Sequence, residues 1–68
     1  MSERSDTEPV SLDDQVWCVV RELSLRERVY PRLVARGKME KSLADRELML
    51  MRAVLGTLQA QRILGGPQ

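Results

Sequence analysis

The sequence has no histidine and no phenylalanine, one cysteine, one tryptophan and one tyrosine. Each shortage removes a class of function. With no histidine, no glycine-rich phosphate loop and no Cys/His spacing that could hold zinc, the chain is expected not to be an enzyme and to use no cofactor, metal or small-molecule substrate. A lone cysteine, Cys18, cannot close an intrachain disulfide. No activating group stands beside it in the sequence, so it reads as a structural thiol rather than a nucleophile. Trp17 and Tyr30 are too few for a stacking platform on single-stranded nucleic acid. No apolar run reaches the roughly 20 residues that a membrane span requires. The opening MSERSDTEPV lacks the apolar centre of a signal peptide. These features lead to the expectation of a cytoplasmic protein that does not contact membranes.

At 68 residues the chain holds at most one small domain. Chains of this size seldom bury enough core to be comfortable alone and usually need a disulfide, a metal or a partner. With the first two removed, self-association is the remaining common remedy. The net charge of +1 conceals an asymmetry. Glu3, Asp6, Glu8, Asp13 and Asp14 face Arg4 alone in the first 14 residues, whereas the rest of the chain is mildly basic. That bias falls far short of the footprint of a typical nucleic-acid-binding domain.

The pattern predicts an all-α fold. Residues 1–10 carry no apolar period and read as a disordered acidic arm. Ser11 followed by Asp14 resembles a capping box at a helix start. Leu12, Val16, Val19, Val20, Leu23, Tyr30, Leu33 and Val34 then recur with a helical period. Pro31 removes one backbone donor and crowds the carbonyl of Glu27. Because the period continues beyond it, a kinked first helix running to about Arg36 is expected, with a break at Tyr30 as the alternative. Gly37 supplies a left-handed cap, with Met39 folding back on the last turn. Ser42 with Asp45 offers a second capping box, and a second helix runs from about Ser42 to Leu64. Residues 65–68, GGPQ, end it as a disordered tail. The expected domain, residues 11–64, is an antiparallel helical hairpin.

Helix 2 is apolar on more sides than one neighbour can cover. Leu43, Ala44, Leu48, Leu50, Met51, Val54, Leu55 and Leu58 make one wide stripe. Met49, Ala53, Gly56, Ala60 and Ile63 make another. A helix apolar on several sides is buried on several sides. Gly56, mid-helix, is unfavourable by about 1 kcal/mol relative to alanine. With Ala53 and Ala60 it would let another helix approach closely. Trp17 and Leu25 lie off the main stripe of helix 1. A homodimeric four-helix bundle satisfies these features, with Trp17, Leu25, Met49, Ala53, Gly56 and Ala60 as interface residues. The rival is a hairpin covered by a different protein. Tyr30 falls roughly opposite Glu47, with Arg26 about one turn further away, and an Arg26–Glu47 pair with the Tyr30 hydroxyl as third member is expected as a structural polar cluster that fixes pairing. Arg28, Arg32 and Arg36 share an outer face, and Lys38 and Lys41 extend it around the turn. The face is either a solvated helix surface or a grip for carboxylates or phosphates.

The run RERVYPRLVARGKMEKSLADRELMLMRAVLGTL resembles a group of short proteins encoded in phages and prophages of proteobacteria. Val29-Tyr30-Pro31, Val34, Gly37-Lys38-Met39, Ala44-Asp45, Glu47 and Met51 carry the likeness, over roughly residues 21–58. The resemblance implies an intracellular helical protein of phage origin, of a kind that often binds and disables a host protein. It assigns no residue a role. The reading that follows is a dimeric hairpin that binds a host or phage protein. A nucleic-acid accessory protein using Arg28, Arg32, Arg36, Lys38 and Lys41 is the second reading, and a structural subunit of a larger assembly the third.

Overall fold

The computed structural model describes residues 10–65. The expected arm and tail fall mostly on residues 1–9 and 66–68, outside the described residues. Two helices, α1 (Leu12–Ala35) and α2 (Lys41–Leu64), pack antiparallel as a hairpin. α1 starts where the side chain of Ser11 accepts a hydrogen bond from the backbone N–H of Asp14 at 3.0 Å. Asp13 and Asp14 in its first turn complement the positive end of the helix dipole. α1 passes through Pro31 without ending. A break at Tyr30 would take Leu33 and Val34, both half-buried, off the face that meets α2.

α1 stops by a local device. Gly37 takes φ +72°, its N–H donates to the carbonyl of Val34, and the N–H of Lys38 donates to the carbonyl of Leu33. This pair of bonds is the Schellman arrangement, in which a residue without Cβ adopts the left-handed conformation most easily. α2 departs from expectation at its start. Ser42 is not the cap. The helix begins at Lys41 with Glu40 in extended geometry, no side chain caps it, and Asp45 instead accepts a 2.8 Å bond from Lys41 Nζ. The earlier start lets the N–H of Ala44 bond Glu40 while Ala44 packs against α1 as the most buried residue, 4 % exposed. Burial against the partner helix outweighs a favourable cap residue two positions later.

The seam holds Val16, Leu23 and Ala44 buried, flanked by half-buried Val19, Tyr30, Leu48, Met51, Leu55 and Leu58. Leu43, Leu50 and Val54 do not belong to it, in keeping with a stripe wider than one neighbour can cover. They remain 49, 45 and 46 % exposed. One neighbouring helix covers only an arc of α2, and these three lie outside that arc. Among the described residues, no helix is long and apolar enough to cross a membrane.

Candidate interaction surfaces

The two sides of the seam differ in chemistry. Consecutive residues on a helix point about 100° apart. Arg26 and Glu27 both reach α2, so they straddle the line of contact. On one side Glu27 Oε2 accepts from Arg52 Nη2 at 3.0 Å, and Asp13 Oδ1 lies 3.0 Å from Arg62 Nε nearer the ends of the helices. This side also carries the Lys41–Asp45 pair and a groove of about 270 Å³ at the turn, lined by Tyr30, Pro31, Val34, Ala44 and Leu48. On the other side Arg26 Nε donates to Glu22 Oε2 at 2.9 Å, and its Nη1 lies 3.6 Å from Glu47 Oε1. Leu43, Leu50 and Val54 share that side with half-buried Val19, Val29 and Leu33. One side is stapled by ions; the other is apolar with one ionic cluster at its centre.

The structure brings Arg26, Tyr30 and Glu47 together, with two changes from the expected arrangement. Tyr30 contributes its ring, whose centroid is 5.9 Å from the Arg26 guanidinium carbon, where a hydroxyl bond had been expected. Such a contact is an electrostatic attraction between the cation and the ring face. Glu22, one helical turn before Arg26, is the closer carboxylate. The Arg26 pKa is raised above the ordinary arginine value. The hydrogen bond to Glu22 is the main cause; the charges of Tyr30, Glu22 and Glu47 add to it, and burial opposes it. The Glu22–Arg26 spacing was a signal available in the sequence. The Glu27–Arg52 and Asp13–Arg62 pairs needed the register of the hairpin.

The outer face of α1 is exposed. It presents Trp17, 66 % accessible, and Leu25, 44 %, in one row with Arg21, Arg28 and Arg32. Arg36 is the C-cap of α1, and Lys38 lies in the turn. Arg28, Arg32, Arg36 and Lys38 make no ion pair with an acid among the described residues. Lys41, expected to extend this basic face, is instead paired with Asp45. On α2, Met49 is 60 % exposed, and Ala53, Gly56 and Ala60 lie in the open on the outer face. A Cβ added at Gly56 would meet no atom within 4 Å.

No family model, no curated protein and no solved structure matches the chain. The surfaces therefore define what the molecule can do. They offer an apolar side with a central ionic cluster, and an outer face that alternates large apolar groups with guanidiniums. Both suit macromolecular contact.

Proposed function

We propose that this is a non-catalytic accessory protein of phage or prophage type that acts by binding another protein, of the host or of the phage, within the host cell. The observation that carries this reading is the amount of apolar side chain the hairpin leaves uncovered. Trp17, Leu25, Leu43, Met49, Leu50 and Val54 are all more than two-fifths exposed, while only three of the described residues are buried. Exposed apolar patches of that extent mark interaction surfaces. The outer face of α1 has the composition of an interface centre, since tryptophan and arginine dominate binding energy at such sites. Its partner would present an acidic, apolar surface. Inhibition of a host defence component or regulator is the role the phage resemblance supports.

The four basic groups that make no ion pair among the described residues favour one second reading, a nucleic-acid-associated protein using Arg28, Arg32, Arg36 and Lys38. Salt separates the two. The chain should be used to capture protein from nuclease-treated host lysate, beside a Trp17→Ala/Leu25→Ala variant, and titrated with DNA and RNA. Retention of one defined protein by the wild type, lost in the variant and holding as salt rises from about 50 to 200 mM, supports protein binding. Phosphate contacts would lose affinity by orders of magnitude over that range. Binding only to nucleic acid with a steep salt slope would overturn the first reading.

A further inference from the structure

We infer that the apolar side of the hairpin, the side of Leu43, Leu50, Val54 and Arg26, is occupied by a second copy of this chain, turned end for end about a two-fold axis at the level of Ser24 and Arg52. The inference rests on the protein-binding reading and names one of its partners. Three observations carry it.

The first is size. Each helix has 24 residues, so the side is about 36 Å long and, at about 10 Å per helix, about 20 Å wide. Its area of roughly 700 Å² is close to the roughly 800 Å² that each partner contributes to a standard stable interface.

The second is charge. An isologous interface must complement itself. The interhelical pairs Arg26–Glu47, Glu27–Arg52 and Asp13–Arg62 place Ser24 roughly level with Arg52. A two-fold at that level, perpendicular to the helices, sets α1 antiparallel to its copy. Arg26 of one chain then lies opposite Glu22 of the other, and the reverse. The central cluster becomes a closed ring of alternating charges. Two guanidiniums, each with five donors, can serve both the intrachain and the interchain carboxylates.

The third is shape. The same operation sets Val19 opposite Val29 on α1 and Leu50 opposite Val54 on α2, so the apolar groups nearer the axis meet apolar groups, while Leu33 and Leu43, nearer the turn, fall level with Gln15 and Gln61. The side stapled by Glu27–Arg52 and Asp13–Arg62 offers no comparable match. The result is a four-helix bundle with its turns at opposite ends. Its interface differs from the Met49, Ala53, Gly56 and Ala60 line, which stays on the outside.

The test is a trans-complementation of charge. Glu22→Arg and Arg26→Glu are made separately in the full chain, and mass is followed by light scattering with helix content by circular dichroism. The wild type is expected at twice 7.8 kDa. Each variant puts like charges face to face and should weaken self-association at least about tenfold, remaining helical at concentrations where it still pairs. Mixed in equal amounts, the two variants restore both interchain pairs, so a mass of about two chains should return. Ala53→Glu, on the outer face, should leave the dimer intact. A helical wild-type monomer across the concentration range, variants that stay dimeric, a mixture that fails to reassociate, or dissociation caused by Ala53→Glu would each overturn the inference. A monomer that still captures its partner through Trp17 would sink the self-pairing alone. A dimer that captures nothing would sink the wider reading alone.

Discussion

At the scale of single residues, three positions separate local from non-local causes. Gly37 is required by its own backbone. At φ +72° a side chain is strained whatever space surrounds it. Gly37→Ala should therefore destabilise the hairpin by about 1 kcal/mol, read as a lower midpoint in thermal unfolding. An unchanged midpoint would mean that the Schellman bonds are dispensable. Gly56 is the opposite case. It is helical, and a Cβ there meets nothing. Gly56→Ala should raise stability by about 1 kcal/mol and leave the solution mass unchanged. A loss of association on that substitution would instead show that a neighbouring helix closes onto Gly56. Arg26 is the third. Because Glu22 lies closer to it than Glu47, exchanging Arg26 and Glu47 cannot fully restore the cluster. Arg26→Glu alone gathers three carboxylates and should lower the melting midpoint by a few degrees. Adding Glu47→Arg should recover only part of that drop, since Glu22 would then oppose a carboxylate in its own helix. Full recovery would mean that Glu22 contributes nothing.

At the scale of elements, what was legible in the sequence follows the range of the forces involved. The start of α1 at Ser11, its end at Gly37 and the end of α2 at Leu64 depend on residues within one turn, and the sequence displays them. The start of α2 does not. It is set by the burial of Ala44 against α1, a contact between residues distant in the chain, and so the capping signal at Ser42 misled. The same limit explains Leu43, Leu50 and Val54. Periodicity shows that α2 is apolar over a wide arc, but not which part of the arc one neighbour covers. For the candidate surfaces, the Arg26–Glu47 contact was legible because both residues interrupt apolar stripes at compatible heights. Arg52 lies beside the seam and Arg62 one turn beyond Leu58 on the inward row, and neither position betrays which carboxylate of α1 lies level with it. Pro31 shows tertiary packing overriding propensity inside an element. α1 keeps its helical course through a residue that disfavours a helix interior by about 3 kcal/mol. Pro31→Ala restores a donor for the Glu27 carbonyl and should stabilise the hairpin by as much as about 3 kcal/mol in chemical denaturation. A decrease would show that the proline ring, beside Tyr30 and Val34 in the groove at the turn, contributes more by packing than its backbone takes away.

At the scale of the molecule, the decisive quantity is how little one hairpin buries. Val16, Leu23 and Ala44 are the only buried residues among those described, and each ion pair that joins the helices is partly exposed. Exposed pairs contribute only about 0.2–1 kcal/mol each. Neither source gives two helices the several kilocalories per mole that a folded domain holds. If the missing burial is supplied by a second copy, folding and association are one equilibrium, and stability must depend on concentration. The melting midpoint of the wild type should then rise by roughly 5 °C for each tenfold increase in protein, given the unfolding entropy of a dimer of this size. The Glu22→Arg variant should melt lower at every concentration. An equimolar mixture of Glu22→Arg with Arg26→Glu should regain the wild-type midpoint, because only the mixed pair rebuilds the ring of charges across the axis. A wild-type midpoint that does not move with concentration would leave the apolar side free. Leu43, Leu50 and Val54 would then pass from the self-interface to the surface offered to a foreign protein, beside Trp17 and Leu25 on the outer face.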